Sequence, residues 1–363
     1  MPSDDQTGTA SRPPAADGRT AGDAVDAAAS PNALRQKLLR PQTLLSFGLA
    51  LAIVVFLVTR LDINLGEVWD NVKHINPFAY AIAYLVYYFA FFLRTVRWKG
   101  MLAQAGIDAE HGHPIPAYPR LMATLLLSWF VNCIVPAKLG DGYRCYLLRK
   151  DTGASFSTTL GTILAERLTD LLVLFFMMTG AGLFAFHGSL PSEVTQTLAV
   201  GLVLITVGLG VVAAMGLAKS RVERLVPLRF KGQFALLHDA IFACLRRPGR
   251  PIGIGIAVWL LDGVRLYLVA WSLGAGLSFS VTLFVALMSA LLSALPFTPA
   301  GLGVVEAAVI VVLKLVDVNS SLAGSIAIMD RLIGFWSLIV IGLFLYLRRL
   351  KGDVGVPRSA LAN

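Results

Sequence analysis

The sequence predicts an all-α fold: a polytopic bundle of transmembrane helices with an inverted-topology internal repeat and two broken or re-entrant hairpins. Three observations support this prediction. The 363 residues are 56% hydrophobic and only 15% charged, whereas soluble domains carry about 25% charged residues. Several apolar runs approach or exceed the roughly 20 residues that a helix needs to cross a bilayer. Short motifs of glycine, proline and charged residues interrupt these runs and recur in the second half of the chain.

The net charge and the cysteines limit the classes of function and partner that the sequence supports. The net charge of +9 is spread over loops between apolar runs, which is typical of Lys- and Arg-rich cytoplasmic loops. This pattern favours anionic lipid at the cytoplasmic face as a partner and argues against nucleic acid. The three cysteines lack metal-site spacing, so we expect free thiols, no metal and no cofactor. The sequence shows no phosphate-binding loop motif, so we expect no ATP hydrolysis. No soluble segment is large enough for a separate catalytic fold, so we expect no enzymatic activity.

The N-terminal part is predicted to enter the membrane once and return. Residues 1–33 contain few large apolar side chains, which predicts a disordered tail in the cytoplasm. Basic residues then precede a first span at about 43–59, and this places the N-terminus inside. Residues 60–76 are predicted to form a mixed-charge external loop. An aromatic-rich span at about 77–98 returns to the cytoplasm.

A break follows the cytoplasmic loop at 100–118. The apolar run at 120–135 is short for a crossing and ends at Pro136, after which the chain is polar and basic. A re-entrant hairpin that opens to the cytoplasm keeps this basic segment inside. A span at about 155–186 then runs outward, and a span at about 194–217 returns.

A basic segment separates the two halves of the membrane domain, which is predicted to extend over residues 34–350. Residues 219–250 alternate basic and apolar side chains, which predicts a cytoplasmic linker with an amphipathic interfacial helix near 232–246. The next span, at about 251–273, runs outward and has charged residues near its middle.

The second half ends with another broken element. An apolar run enters at 281–297, breaks between Pro296 and Gly303, and leaves by 304–316. The last span, at about 322–347, returns to the cytoplasm, and residues 351–363 form a cytoplasmic tail.

The interruptions recur in the same order. Three short matches lie at offsets of 163, 164 and 168 residues: P-A-x-L-G at 136–140 and 299–303, an acid followed by arginine at 166–167 and 330–331, and Arg97 and Arg265. We interpret them as a duplication of 77–217 in 251–347; coincidence among common membrane residues is the alternative. Because the copies run in opposite directions, the repeat is inverted, as in many secondary transporters.

Charged side chains inside the spans are the candidate site, because each costs about 2.5–3.5 kcal/mol at the membrane centre. One interpretation is mutual ion pairing that fixes helix register. The other is a polar cavity that binds a charged headgroup, since arginine matches phosphate bidentately. The candidate substrate-binding residues are Arg94, Arg97, Asn132, Lys138, Asp141, Arg144, Glu166, Arg167, Asp170, Arg265, Glu306, Asp330 and Arg331, with Asp262 also at membrane depth. The candidate hairpin residues are Pro136, Gly140, Pro296, Pro299, Gly301 and Gly303.

The interrupted motifs resemble those of the flippase-like membrane family that includes the transmembrane region of lysylphosphatidylglycerol synthetase, with a hopanoid-biosynthesis-associated subgroup among its members. The matching motifs are Arg94-x-x-Arg97-Trp98, Asn132-x-x-x-Pro136-x-x-x-Gly140-Asp141-x-x-Arg144, Glu166-Arg167-x-x-Asp170, Leu295-Pro296-x-x-Pro299-x-Gly301-Leu302-Gly303-x-x-Glu306 and Asp330-Arg331.

The resemblance implies a lipid flippase or scramblase of the cytoplasmic membrane. Its substrate would be an anionic phospholipid or a lipid linked to polyprenyl phosphate or hopanoid. Two alternatives stay open. One is an accessory subunit or enzyme of lipid or lipid-linked glycan modification, and the other is a structural membrane protein. A lipid-modifying enzyme is the expected protein partner, and no lysine transfer is expected because the synthetase's soluble transferase domain is not recognised.

Overall fold

A computed structural model describes residues 64–134, 139–186, 191–217, 227–294 and 299–354, together with Gly48, Thr59 and Gly188. The predicted tail at 1–33 lies outside the described residues, as do nearly all of the first span at 43–59 and most of the tail at 351–363.

The described residues form α-helices joined by short turns, with no strand among them. The helices are α1 (Leu65–Lys73), α2 (Pro77–Gln104), α3 (Tyr118–Ile134), α4 (Gly140–Thr152), α5 (Phe156–Ala185), α6 (Ser192–Leu217), α7 (Lys231–Arg246), α8 (Gly249–Ser272), α9 (Phe279–Ala294), α10 (Val304–Lys314), α11 (Ser320–Arg331) and α12 (Ser337–Val354). Short 3-10 turns occur at Leu228–Phe230 and Pro299–Gly301, and a π-helical turn at Leu332–Trp336 joins α11 to α12.

Five helical segments are long and apolar enough to cross a membrane. They are Pro77–Gln104, Phe156–Ala185, Val194–Gly216, Gly249–Ser272 and Ser320–Arg349. This confirms the prediction of an all-α, multi-pass membrane bundle. The observed ends lie within a few residues of the predicted ends, with two exceptions: α2 continues six residues past the predicted inner end at residue 98, and α12 continues seven residues past the predicted end at residue 347.

The prediction of a loop over residues 60–76 is wrong, because residues 65–73 form helix α1. Asn64 caps α1 by accepting hydrogen bonds from the backbone N–H groups of Gly66 and Glu67, which is a common way to start a helix. Val68 is buried, and Asn71 Nδ2 donates to Ser325 Oγ of α11 at 3.2 Å. The charged residues of this segment therefore conceal a short helix with one buried face.

Helices α2 and α8 form the centre of the bundle and run antiparallel. The α2 cap residue Asn76 donates from its backbone N–H to the Ser272 carbonyl oxygen at the last turn of α8, at 2.8 Å. Towards the other ends of the two helices, a Cβ added to Gly255 of α8 would lie 3.0 Å from Arg97 Nη1 of α2. Glycine at position 255 therefore leaves room for the Arg97 side chain between the two helices.

Helix α7 packs against α5. Its observed range, 231–246, matches the predicted interfacial helix at 232–246. A Cβ added to Gly161 of α5 would lie 2.6 Å from the Leu237 carbonyl oxygen of α7 and 2.7 Å from the Ala240 Cβ. Glycine is therefore needed at position 161 for this close approach of the two helices.

The two hairpins open at opposite ends of the bundle. At the open end of the α3–α4 hairpin, Arg120 Nη2 lies 2.8 Å from Asp151 Oδ1, and Arg349 of α12 contacts the same oxygen at 2.7 Å. The α9–α10 hairpin opens at the other end, because α8 ends beside Asn76 just before α9 begins. After α10, the chain enters α11, where Ser321 Oγ accepts from Asn64 N. Opposite openings are compatible with the inverted repeat, which stays a prediction.

Candidate functional site

The first hairpin turns at Gly140, the first residue of α4. Asn132 Oδ1 accepts a hydrogen bond from Gly140 N at 2.9 Å, and Ser128 Oγ donates to Gly140 O at 2.8 Å. A Cβ at position 140 would lie 2.0 Å from the Ser128 carbonyl oxygen, so only glycine fits. Asn132 and Gly140 therefore fix the turn, whereas Pro136 and Lys138 lie outside the described residues.

The second hairpin has a left-handed tip that Arg331 and Glu306 hold together. The φ angles of Ala300, Gly301 and Gly303 are 47°, 72° and 85°, in the region that favours glycine. Arg331 donates from both Nη atoms to the carbonyl oxygens of Ala300 and Gly301, each at 3.3 Å. Glu306 Oε2 accepts from Gly303 N at 2.7 Å, and its Oε1 lies 2.8 Å from Arg331 Nε. Broken backbone inside the bundle is thus given hydrogen-bond partners.

One of the two hairpin prolines of the second half lies at this tip. Pro299 is the first residue of the 3-10 turn, where its missing N–H costs no helical hydrogen bond. Pro296 lies outside the described residues.

A buried cluster of charge joins α2, α4 and α5. Arg97 Nη1 donates to Asp170 Oδ1 at 2.5 Å, and Arg97 Nη2 donates to Asp170 Oδ2 at 3.0 Å and to Glu166 Oε1 at 2.7 Å. Arg144 Nη1 lies 2.9 Å from the second Glu166 oxygen. The Arg144 guanidinium carbon also lies 3.7 Å from the centre of the Trp98 ring, a cation–π contact. Each of these charges therefore has a partner of opposite sign or an aromatic face.

One acid–arginine pair at each hairpin is partly exposed. Arg167 of α5 donates to both Asp141 oxygens, from Nη2 at 2.9 Å and from Nε at 3.4 Å. The Arg167 and Asp141 side chains are 36% and 22% exposed. The corresponding Arg331 and Glu306 side chains are each 14% exposed. Of the site's charges, Arg167 and Asp141 at the first hairpin are therefore the most exposed.

The charges of α2, α8 and α11 form a second chain of contacts. Arg94 Nη2 donates to Asp262 Oδ2 at 2.8 Å. Arg265 Nη1 donates to Asp330 Oδ1, and Arg265 Nε lies 3.7 Å from Asp262 Oδ1. Because Arg94 is on α2 and Arg265 is on α8, this chain of contacts links the two predicted repeats.

The charges of the whole site balance among the described residues. Six arginines face six carboxylates: Arg94, Arg97, Arg144, Arg167, Arg265 and Arg331 against Asp141, Glu166, Asp170, Asp262, Glu306 and Asp330. Mutual pairing, the first of the two interpretations above, therefore accounts for the buried members. Among the described residues, no three His, Cys, Asp or Glu side chains are placed to hold a metal ion.

A ladder of tyrosines on α2 was not recognised as part of the site from the sequence. The hydroxyl groups of Tyr80, Tyr84 and Tyr87 donate to the carbonyl oxygens of Met329, Leu332 and Gly334, at 2.8, 3.4 and 3.0 Å. Leu332 and Gly334 lie in the π-helical turn that follows Asp330 and Arg331, and Met329 lies in the last turn of α11 before it. The spacing of the tyrosines by four and three residues, which places them on one helix face, is the signal that could have revealed them.

Comparison with known proteins identifies the family. The family model described as lysylphosphatidylglycerol synthase TM region matches residues 44–342. A UPF0104 membrane protein of Methanocaldococcus jannaschii is 32% identical over 221 residues, which are 60% of this chain and 93% of the relative. A UPF0104 membrane protein of Methanothermobacter thermautotrophicus is 24% identical over 319 residues, or 81% of this chain and 92% of the relative.

A third relative has an enzyme's name. Glycosyltransferase AglD of Haloferax volcanii is 23% identical over 339 residues, which cover 82% of this chain and 53% of the relative.

The match with the family model extends over most of the described bundle, including both hairpins and all twelve balanced charges. The chain is therefore a multi-pass membrane protein that belongs to the family of the lysylphosphatidylglycerol synthase TM region.

Proposed function

We propose that this protein is a lipid transporter of the flippase or scramblase type, for an anionic phospholipid or a lipid linked to polyprenyl phosphate or hopanoid. The observation that carries the proposal is the pair of partly exposed acid–arginine contacts, one at each hairpin. Asp141–Arg167 and Glu306–Arg331 belong to hairpins that open at opposite ends of the bundle. We infer that a headgroup entering from either side meets one of these two arginines.

The chemistry of these pairs suits an anionic headgroup. A phosphate offers arginine the same two-oxygen contact that Asp141 offers Arg167, with hydrogen bonds at 2.9 and 3.4 Å. Exchange of the carboxylate for a phosphate keeps Arg167 paired, so the arginine is not left unpaired inside the bundle. The acyl chains would stay in the surrounding lipid, as the apolar surface of α6 allows; Leu202 and Val203 are more than half exposed.

The orientation of the bundle is part of this proposal. The Arg349 end also has Arg120, Arg149 and Lys150, and basic residues mark the cytoplasmic side. We therefore place both chain termini in the cytoplasm and the protein in the cytoplasmic membrane. Anionic lipid of the inner leaflet would contact the basic end.

Reconstitution of the full chain into liposomes tests the function. The assay follows transfer of fluorescent headgroup-labelled phosphatidylglycerol between leaflets, by quenching of the label in the outer leaflet. We expect transfer by the wild type, at least a tenfold lower rate for Arg167→Gln, and an unchanged rate for Lys73→Gln. The last variant removes one exposed positive charge from α1, so it controls for net charge. The absence of transfer for phosphatidylglycerol, phosphatidylethanolamine and a polyprenyl-phosphate lipid alike would refute the proposal.

The name of one relative supports a second candidate. The match to glycosyltransferase AglD covers 53% of that protein, so the shared membrane part accompanies a further segment there. An accessory or enzymatic role in modifying a lipid-linked glycan follows from this, with a lipid-modifying enzyme as partner. Lipid products that change when the gene is deleted, while the leaflet distribution of every lipid is unaltered, would favour this candidate.

A further inference from the structure

The two predicted repeats differ in one carboxylate beside their equivalent arginines. The offset that relates Arg97 to Arg265 is 168 residues, and the offset that relates Glu166 to Asp330 is 164 residues. At the latter offset, Asp170 corresponds to Gly334. The structure supports this equivalence, because Asp170 contacts Arg97 and the nearest heavy atom to a Cβ at position 334 is Arg265 Nη1.

The arginine of the first half has three hydrogen bonds to carboxylates, and its counterpart has one. Arg97 donates three hydrogen bonds, two to Asp170 and one to Glu166. Arg265 donates one carboxylate hydrogen bond, to Asp330. Among the described residues, the Nε atoms of both arginines have no hydrogen-bond acceptor, and Arg265 is only 8% exposed. Because a buried guanidinium is stabilised by hydrogen bonds to anions, the smaller number of carboxylate bonds at Arg265 favours a further acceptor there.

Space for that acceptor exists at Gly334. Within 4 Å, a Cβ added there would meet, among the described residues, only Arg265 Nη1, at 3.6 Å. The φ angle of Gly334 is outside the left-handed region, so the backbone does not require glycine. Glycine at this position thus leaves open, beside Arg265, the place that the Asp170 carboxylate fills beside Arg97.

We propose that Arg265 and the space beside Gly334 form an anion site that takes one phosphate oxygen of the transported lipid headgroup. The phosphate takes the place that a carboxylate at position 334 would fill and completes the hydrogen bonds of Arg265. This deepens the proposed function and rests on it for the identity of the ligand. It also makes the two equivalent arginines differ: Asp170 supplies the second anion beside Arg97, and the phosphate supplies it beside Arg265.

The surroundings of the site suit a headgroup. The Tyr87 ring centre lies 5.5 Å from the Arg265 guanidinium carbon, and the Tyr87 hydroxyl holds the Gly334 carbonyl at 3.0 Å. The Asp330 side chain is 15% exposed, so the site is not sealed. The acidic groups that face Arg265 are Asp330 and Asp262. Their negative charges oppose anion binding, so binding depends on the donors of Arg265 that these acids leave free.

Binding to the detergent-purified full chain tests the site. The probes are short-chain phosphatidylglycerol and inorganic phosphate, and binding is measured by the ligand-induced shift of the thermal unfolding midpoint. We expect Gly334→Asp, which supplies the missing carboxylate, to weaken phosphatidylglycerol binding at least tenfold. Gly334→Asn has the same size without the charge and should bind within threefold of the wild type. Equal binding by the Asp and Asn variants would overturn the proposal, as would no binding by the wild type.

A second variant works in the opposite direction and guards against a folding defect of Gly334→Asp. Asp330→Asn removes the carboxylate that competes for Arg265, so phosphatidylglycerol should bind at least threefold more tightly. Unchanged or weaker binding would contradict the proposal. Tight binding of inorganic phosphate in place of the lipid would show that a free anion is the ligand and would overturn the assignment to a headgroup.

The liposome assay separates this inference from the proposed function. If the wild type and Gly334→Asp move lipid at the same rate, the anion site is refuted and the transport function stands. If the binding pattern of the variants holds but the wild type moves no lipid, the site stands and the transport function is refuted.

Discussion

The coupling free energy between Arg97 and Asp170 should be among the largest in the bundle. Arg97→Met removes the charge and keeps most of the side-chain volume, but it leaves Asp170 without its arginine. The structure gives this pair two charge-assisted hydrogen bonds, at 2.5 and 3.0 Å, between side chains that are 1% and 12% exposed. At about 1.5–3 kcal/mol for each such bond, the loss is about 3–6 kcal/mol. Breaking a buried ion pair costs about 3–5 kcal/mol in measured cases, which agrees.

A double-mutant cycle isolates this coupling. Arg97→Met, Asp170→Asn and the double variant are unfolded in mixed micelles by increasing fractions of sodium dodecyl sulfate, and helicity is followed by circular dichroism. The coupling energy should exceed about 2 kcal/mol, because the double variant leaves no charge unpaired between these positions. Lys73 and Asp70, which are 52% and 68% exposed, provide the matched control and should couple by less than about 1 kcal/mol. Equal coupling in the two cycles would refute the reasoning.

Three further predictions concern the hairpins, the tyrosine ladder and the topology. Gly140→Ala should destabilise the protein by more than about 3 kcal/mol, because the added Cβ would lie 2.0 Å from the Ser128 carbonyl oxygen. Unfolding in mixed micelles measures this loss of stability, and a change below about 1 kcal/mol would argue against the tight turn. Tyr87→Phe removes one hydrogen bond at 3.0 Å to the π-helical turn and should cost about 1 kcal/mol in the same assay, whereas an unchanged stability would show that the bond is dispensable. Lys150→Cys and Lys314→Cys place single cysteines at the exposed open ends of the two hairpins. A membrane-impermeant thiol reagent should reach them from opposite sides of the membrane, and reaction of both from the same side would contradict the inverted arrangement.

The sequence was sufficient to predict the long helices and the breaks between them. Apolar runs set helix positions because a span needs a minimum length, and the ends of α5 and α6 fall within about two residues of the prediction. Glycine, proline and the charged pairs marked both hairpins, because these residues interrupt a helix or are costly in lipid. The prediction that the hairpins open at opposite ends came from the distribution of Lys and Arg. These residues are in excess in cytoplasmic loops, so they indicate which ends of the helices share a side.

Pairing partners could not be predicted in the same way. The sequence places Glu166, Arg167 and Asp170 within five residues, and it does not show that Arg167 turns to Asp141 while its neighbours turn to Arg97. That choice depends on helix rotation and on the close approach of α2, α4 and α5. Helix α1 was not predicted for a different reason. The mixed charge of the segment is typical of a loop, and only the cap residue Asn64 marks the start of a helix there.

The contact between Arg94 and Asp262 gives the repeat a physical meaning. These residues are 168 residues apart, the offset that also relates Arg97 to Arg265, so under the predicted duplication they occupy the same position in each half. Equivalent positions touch only where a two-fold axis passes between them, and α2 and α8 run antiparallel as such an axis requires. Two identical charges there would repel inside the bundle. An arginine in one copy and an aspartate in the other, with Nη2 and Oδ2 at 2.8 Å, convert that repulsion into an ion pair. If the predicted duplication is right, the two halves are thus held together at their axis by positions at which they differ.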